Sequence, residues 1–260
     1  MNKKLITALA ALTLIIPISA NAASLQNKSV TQPTIAILDT ALDTSIPSIK
    51  SNVIYEACVV QWNSCPNGLG EMEGTNSAVL PTSVMSNNGF DHGTQIASLA
   101  VATNPNVRIV FVRIIGADSS GFRQPSGEQT VWAALDWVIR NKAKFNIQAV
   151  SMSQGHHVLG AAGTDYCPKT PITESKIKTL ADIFALGTTQ AITVGGKKVN
   201  VAGTSASAII AATQWATVSS AKPTLTYSQI YDLLSKTSVP TSNSKVSGGK
   251  LISLNGALNG

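Results

Sequence analysis

Short apolar runs and helical patterns alternate along this 260-residue chain. The runs at Thr34–Leu38, Val107–Ile115 and Gln148–Met152 have the length and the apolar, β-branched composition of buried strands. Between them, apolar positions recur at helical spacing over Gly93–Ala102 and Glu128–Lys144. This order predicts an α/β fold with a doubly wound, mostly parallel sheet and helices on both faces. In such a sheet a ligand binds at the carboxyl ends of the strands.

The first 22 residues have a different pattern, which is typical of a secretory signal peptide. Lys3 and Lys4 precede an apolar run from Leu5 to Ile16, and Ala20-Asn21-Ala22 forms a small-residue cleavage site. The apolar run is shorter than a membrane span needs. We therefore expect residues 1–22 to be removed during export, which places the mature chain in the periplasm or outside the cell.

The remaining 238 residues suffice for one domain with a sizeable core. We assign that domain to residues 34–260, after a short extension at residues 23–33. The net charge is +6 for the whole chain and +4 once Lys3 and Lys4 are removed. Because the basic residues are scattered without a basic run, composition gives no support to nucleic-acid binding. We expect a soluble monomer with no membrane contact after signal cleavage.

Three polar residues stand at the ends of these apolar segments. Asp39 ends the first strand, and His92 opens the first helical pattern. Ser205 lies in the segment GTSAS (203–207), where an apolar helix begins. Thr204 can cap that helix, and the helix dipole favours negative charge beside the serine. Each residue alone also fits a structural role, as a turn residue, a helix cap or a hydroxyl bonded to backbone.

The segments around these residues resemble the three active-site motifs of the subtilisin-like serine protease family. They are AILDT with Asp39, DHGT with His92 and GTSAS with Ser205, in the family's order along the chain. The segments NVRIVFVRII (106–115) and AVSMSQG (149–155) resemble two strands of that family, and residues 222–238 resemble its closing helix. The resemblance extends from about Thr34 to the C-terminus.

The resemblance implies a catalytic triad. Ser205 would be the nucleophile, and His92 the general base that later protonates the leaving amine. Asp39 would fix the tautomer of the imidazole and stabilise its cation. The implied activity is hydrolysis of peptide bonds through an acyl-enzyme.

Two further segments are expected to bind the substrate. Ser153, Gln154 and Gly155 follow a predicted strand and resemble the edge that lines the family's cleft. Ser120 and Gly121 would belong to a flexible rim strand, against which an extended peptide pairs; an ordinary solvent loop is the alternative. The implied partner is a peptide or protein substrate. No cofactor is expected, and structural calcium stays open.

The chain departs from the family between the histidine and serine motifs. His92 and Ser205 are 113 residues apart, whereas about 157 separate the corresponding residues of subtilisin. The family has here a strand ending in Ala-Gly-Asn, whose asparagine donates to the oxyanion. In this chain Leu180 runs directly into Ala181 and Asp182. We therefore predict a missing strand region near Leu180–Asp182, and we find no oxyanion asparagine in the sequence.

Two functions follow from these observations. The motifs favour an exported serine endopeptidase that acts through Ser205. The missing oxyanion donor favours a catalytically impaired or inactive relative, which binds peptides or is a truncated product. Loss of that donor alone costs about 10²–10³-fold in turnover.

The three cysteines fit an oxidising compartment. Cys58 and Cys65 are close in sequence and can close a small loop there. Cys167 is then left over, which indicates a reactive thiol, an intermolecular bridge or a lost partner. His156 and His157 with Cys167 match no familiar ligand spacing, so we assign no metal site.

Overall fold

The computed structural model describes residues 32–87, 89–124, 127–154, 185–240 and 250–260. Its main sheet comprises β1 (Thr34–Asp39), β2 (Val53–Val59), β3 (Glu71–Glu73), β4 (Arg108–Arg113) and β7 (Ala149–Met152). The order across the sheet is β3-β2-β4-β1-β7. All pairs are parallel except β2 with β3, which lies at one edge. The predicted mostly parallel sheet is confirmed.

The centre of this sheet is apolar on both faces. Every residue of β1 is buried, because its side chains alternate between two cores. Ile35 and Ile37 pack into one core, whereas Ala36 and Leu38 pack into the other. A run that is apolar at consecutive positions therefore folds as a strand covered on both sides.

Helices cover both of these faces. They are α1 (Pro47–Lys50), α2 (Thr82–Asn87), α3 (His92–Thr103), α4 (Glu128–Phe145), α5 (Thr204–Ala221), α6 (Tyr227–Lys236) and α7 (Leu254–Asn259). Leu99 of α3 and Ile209 of α5 belong to the core that contains Ile35. Trp137 of α4 belongs to the core on the opposite face. The doubly wound arrangement is thus as predicted.

Three two-stranded antiparallel pairs complete the described structure. They are β5 (Gly116–Ala117) with β6 (Arg123–Gln124), β8 (Thr188–Ile192) with β9 (Lys198–Ala202), and β10 (Val239–Pro240) with β11 (Lys250–Leu251). The first pair follows the central strand β4, and the second immediately precedes α5. The second pair therefore lies next in sequence to Ser205, and the turn of the first pair contains Ser120 and Gly121.

The predicted elements form where expected, with ends that differ by one or two residues in most cases. The exception is the closing helix, predicted at residues 222–238, which spans only Tyr227–Lys236. Thr226 begins this helix with a capping box, because its side chain accepts from the Gln229 backbone while the Gln229 side chain accepts from the Thr226 backbone. Residues 222–226 therefore precede the helix.

Strand β7 ends the main sheet among the described residues. Val150 and Met152 are 42% and 39% exposed, although both are large and apolar. A groove of about 400 Å³ runs beside Val150, bounded by Ala208, Trp215 and Tyr227 among other residues. The predicted missing strand region near Leu180–Asp182 lies outside the described residues, as do Cys167, His156, His157 and the predicted signal peptide.

A disulfide joins Cys58 to Cys65, which closes the small loop that the sequence allowed. The carbonyl of Ser64, inside this loop, accepts a hydrogen bond of 2.7 Å from Arg113 Nη2. Arg113 is fully buried, and its Nη1 donates to the carbonyl of Ile115 at 3.1 Å. Burial lowers the pKa of Arg113 to about 10. Among the described residues, this guanidinium has no carboxylate partner.

None of the helices in the described part of the chain has the length and apolar character that crossing a membrane requires.

Candidate active site

Asp39 lies at the carboxyl end of β1, in the middle of the sheet. Its side chain is fully buried, and Oδ1 accepts a 2.7 Å hydrogen bond from the backbone N–H of Thr40. A buried carboxylate needs such donors, because loss of hydration destabilises its charge. This interior strand thus places a carboxylate whose position is fixed by the backbone around it.

His92 is the first residue of α3, and this helix end packs closely on the end of β1. The neighbouring Gly93 is required there: a Cβ would lie 2.6 Å from the Ala41 carbonyl oxygen and 2.7 Å from the Phe111 ring. The Gly93 N–H donates to Thr40 Oγ1 at 2.8 Å, which ties the helix to the strand end. This close approach brings His92 Nδ1 to 2.8 Å from Asp39 Oδ1.

The electrostatics of His92 follow from this geometry. Burial lowers the pKa of His92, but the hydrogen bond and the charge of Asp39 outweigh burial, so the net pKa is raised from its ordinary value. The Arg123 guanidinium opposes this rise, and the Asp91 carboxylate adds to it. His92 is therefore a base whose cation is stabilised mainly by one neighbouring carboxylate.

Ser205 occupies the second position of α5, directly after the β8–β9 pair. Gly203 precedes the helix with φ of 148°, a backbone conformation that favours glycine. The expectation that Thr204 caps the helix is wrong: Thr204 is the first helical residue, Gly203 is the N-cap, and no side chain caps this end. The chain reaches the helix through an extended glycine, so no side chain is available at the cap position.

Ser205 lies close to the end of β7. Ser205 is half-buried, and its carbonyl oxygen lies 3.5 Å from the Ser153 hydroxyl, at the limit of a hydrogen bond. Among the described residues, no hydrogen bond joins the Ser205 hydroxyl to His92. The structure therefore brings Asp39 and His92 into direct contact, and it places Ser205 beside the residue that precedes Gln154.

Gln154 contacts both Asp39 and His92, which are called the acid–base pair below. Its Nε2 lies 3.0 Å from Asp39 Oδ1 and 3.1 Å from His92 Nδ1. The sequence predicted this residue only as part of the substrate-lining edge, with no hint of these contacts. The residue type was the available signal, since a partly buried amide needs polar partners. Gly155, predicted beside it, lies outside the described residues.

Ser120 and Gly121 do not form the predicted rim strand. They lie in the turn between β5 and β6, with Gly121 at φ of 77°. Asp118 Oδ1 accepts from the N–H groups of Ser120 and Phe122, at 2.8 and 2.9 Å. These local bonds favour a turn over an extended strand, because the aspartate supplies the acceptor that a pairing strand would need. Only the flanking residues pair as strands.

Two carboxylates that the sequence did not single out tie the β8–β9 pair to the site. Asp91, next to His92, accepts from Thr193 Oγ1 at 2.8 Å. Asp43, after β1, accepts from the Gly195 N–H at 2.9 Å and from Ser45. Burial raises the pKa of Asp43, but these hydrogen bonds outweigh it and lower the net pKa. The β8–β9 turn is thus fastened to residues on either side of the acid–base pair.

Solved proteases share this fold. Fervidolysin from Fervidobacterium pennivorans, a keratinolytic enzyme related to subtilisin, has a TM-score of 0.59 at 16% identity, covering 89% of this chain and 43% of that chain. A protease from Pseudoalteromonas arctica PAMC 21717 has a TM-score of 0.52 at 15% identity, covering 88% and 90%. A lanthipeptide protease has a TM-score of 0.56 at 14% identity, covering 87% and 86%. The fold is therefore subtilisin-like, and the chain spans less than half of fervidolysin.

The sequence model of the subtilase family, Peptidase S8, matches residues 31–181. This is more than half of the 260 residues, and it includes Asp39 and His92. The chain belongs to the subtilase family. Ser205 lies beyond the matched range, so its assignment depends on the local GTSAS motif and on its position at the start of α5.

Proposed function

We propose that this chain is an exported serine endopeptidase with Asp39, His92 and Ser205 as its catalytic triad. The observation that carries the proposal is the 2.8 Å contact between His92 Nδ1 and the buried Asp39 Oδ1 at the carboxyl edge of a parallel sheet. A histidine held by a buried carboxylate is the arrangement that activates a serine hydroxyl. The substrate is a peptide or protein, and no cofactor takes part.

In the proposed mechanism His92 transfers a proton twice, first from Ser205 to the leaving amine and then from water to Ser205. The Ser205 oxygen attacks the carbonyl carbon of the peptide bond while His92 Nε2 accepts the hydroxyl proton. His92 then gives that proton to the departing amine, and the acyl group stays on Ser205. A water molecule then attacks the acyl carbon while His92 accepts one of its protons, and His92 gives that proton to the Ser205 oxygen as the acid product leaves. Asp39 stays ionised and stabilises the imidazolium that forms in both steps.

Ser153 and Gln154 are proposed to border the substrate cleft, at the end of β7. A strand end beside the acid–base pair is where an extended peptide can lie within reach of Ser205. Ser120 and Gly121 are proposed to border the cleft only as a turn, since their backbone bonds are local. Gly155 remains a candidate from the sequence alone.

A second candidate is a peptide-binding subtilase that has lost turnover. One observation supports it: the sequence contains no asparagine in the oxyanion context. Oxyanion stabilisation is commonly the largest single contribution to such catalysis. The peptide would then be held at the same edge but not cut.

A fluorophosphonate probe distinguishes these two candidates. We expect the purified chain to be labelled, and Ser205→Ala to abolish labelling because the probe reacts with an activated serine oxygen. Ser207→Ala is the matched control: Ser207 lies two residues along the same helix, and its hydroxyl donates to the Ala185 carbonyl at 3.1 Å. Labelling that is absent from the unaltered chain, or that survives Ser205→Ala, contradicts the endopeptidase proposal.

Export is tested separately from chemistry. We expect expression in a bacterium to yield a periplasmic or secreted chain whose N-terminus is Ala23. Intact mass and N-terminal sequencing measure this directly. A cytoplasmic chain that still begins at Met1 contradicts the proposed signal peptide.

A further inference from the structure

The carboxamide of Gln154 bridges the acid–base pair and an arginine from another loop. Its Oε1 accepts from Arg123 Nη2 at 2.8 Å, while its Nε2 faces Asp39 and His92. Gln154 follows β7, whereas Arg123 lies in β6, so two separate elements meet at the pair. The proposed mechanism makes no use of this contact.

Both ends of the carboxamide fix its orientation. The guanidinium of Arg123 has only donors, so it requires the amide oxygen. The ionised carboxylate of Asp39 has only acceptors, so it requires the amide N–H groups. A flipped amide would place oxygen against the carboxylate and N–H groups against the guanidinium. The orientation with Nε2 on the acid–base pair is therefore the one that satisfies both neighbours.

In this orientation Gln154 and Asp39 have opposite effects on whether His92 Nδ1 carries a hydrogen. Asp39 favours a hydrogen on His92 Nδ1, because its Oδ1 then accepts that N–H. The Gln154 N–H can bond Nδ1 only when Nδ1 carries no hydrogen, and the ring hydrogen is then on Nε2. A ring with its hydrogen on Nε2 has no free lone pair there for the serine proton. The two neighbours thus stabilise opposite tautomers.

His92 Nδ1 and Gln154 Nε2 also share one hydrogen-bond acceptor, which is Asp39 Oδ1. Asp39 Oδ1 already accepts from the Thr40 N–H at 2.7 Å. His92 Nδ1 and Gln154 Nε2 approach the same oxygen at 2.8 and 3.0 Å. When Nδ1 carries its hydrogen, the ring and the amide present N–H groups to each other at 3.1 Å while competing for one oxygen.

We propose that Gln154, oriented by Arg123, is a positioning residue that opposes Asp39 in setting the His92 tautomer and thereby restrains His92 as a base. The effect on catalysis rests on the proposed endopeptidase function, but the effect on the tautomer does not. Among the described residues, the charged groups that face His92 are Asp39 from β1, Asp91 directly before α3, and Arg123 from the β5–β6 pair. Arg123 therefore acts on His92 in two ways, through its charge and through Gln154.

The test is nitrogen NMR of the His92 ring in the full chain. The sequence has three histidines, so replacing His156 and His157 by glutamine leaves only His92. The ¹⁵N shifts of the neutral ring report which nitrogen carries the hydrogen. We expect Gln154→Leu to move the population toward hydrogen on Nδ1 and to move the titration midpoint to higher pH. Gln190→Leu, an exposed glutamine on β8, makes the same chemical change away from the pair and should alter neither.

Arg123→Met separates the two actions of the arginine. In the chain with Gln154, it should shift the tautomer in the same direction as Gln154→Leu, because the amide loses its fixed orientation. In the Gln154→Leu background, Arg123→Met should leave the tautomer unchanged and raise only the titration midpoint. An unchanged tautomer in Gln154→Leu, or a shift toward hydrogen on Nε2, overturns the proposal.

Activity gives a separate readout. Where the chain reacts with the fluorophosphonate probe, Gln154→Leu should raise the labelling rate about three- to tenfold, the effect of one net hydrogen bond. A tautomer shift without labelling in any variant would refute the endopeptidase function but support the positioning role. Labelling with no tautomer shift would support the endopeptidase function but refute the positioning role.

Discussion

The acid–base side of the site and the nucleophile side differ in how the described residues hold them. On the acid–base side, Asp39 ends a strand that is buried along its whole length, and His92 contacts it directly. On the nucleophile side, β7 alternates buried and exposed residues, and Ser205 is only half-buried. The family match covers the first side and ends before Ser205.

The difference follows from the position of each strand in the sheet. β1 lies between β4 and β7, so both of its edges are paired and both faces are covered. Among the described residues β7 has a partner on one edge only. Among those residues, fewer contacts therefore hold the groups beside β7. Within the described structure, the two halves of the candidate site therefore have unequal support.

The largest effect is expected from removing the carboxylate of the acid–base side. Asp39→Asn should lower the rate of probe labelling about 10⁴-fold, because an amide facing Nδ1 favours the tautomer that cannot accept the serine proton. Asp91→Asn is the control, since Asp91 adjoins His92 but bonds Gln95 and Thr193 instead. Labelling rates at neutral pH measure both. Equal losses in the two variants would show that the Asp39 contact has no special role.

The stability of the two regions can be compared by substituting two valines that pair with the same residue from opposite sides. Val110 of β4 and Val150 of β7 both pair with Ala36, but Val110 is fully buried and Val150 is 42% exposed. We expect Val110→Ala to lower the free energy of unfolding by about 2 kcal/mol, through lost burial and a cavity. Val150→Ala should cost less than about 1 kcal/mol. Urea unfolding measures both, and similar losses would refute the contrast.

The link between the two sides is expected to contribute a smaller amount. Asp43→Ala removes the acceptor of Gly195 and Ser45 and should lower the free energy of unfolding by about 1–3 kcal/mol. Asp136→Ala removes an exposed pair with Arg140 on α4 and should cost less than about 1 kcal/mol. If the Asp43 variant is no less stable than the Asp136 variant, the β8–β9 turn is not fastened by this carboxylate.

The smallest effect concerns pH. His92 must be neutral to accept a proton, and its pKa is raised, so probe labelling should increase as pH rises through a midpoint above the ordinary histidine value of about 6.5. Asp91→Asn should move this midpoint to lower pH, since the Asp91 charge raises the pKa of His92. Labelling rates from pH 5 to pH 9 test both statements. A midpoint that moves to higher pH in the variant contradicts this electrostatic account.

The sequence predicted the strands and helices well because their signals are local. Continuous apolar runs mark strands covered on both faces, and helical spacing marks the helices between them. The contact of Asp39 with His92 was also predictable, since motifs at strand and helix ends converge at one edge of a parallel sheet. Cap and turn details were less accessible: Gly203 rather than Thr204 precedes α5, and Asp118 converts the expected rim strand into a turn.

Sequence patterns could not predict the long-range polar contacts. Gln154 meets Asp39 across 115 positions and Arg123 across 31, and no periodicity encodes such pairings. The same holds for Asp43 with Gly195, which are 152 positions apart. These contacts depend on how separate loops pack once the sheet has formed.

The link between the Cys58–Cys65 loop and Arg113 leads us to expect that folding depends on when the disulfide forms. The loop presents the Ser64 carbonyl to a guanidinium that is fully buried. A chain that collapses while its cysteines are still reduced would bury that cation before its acceptor is held in place. Oxidation early in folding avoids this, because the closed loop then arrives with the carbonyl already oriented. Yield of the native chain should therefore be governed by thiol oxidation kinetics as well as by the stability of the finished fold.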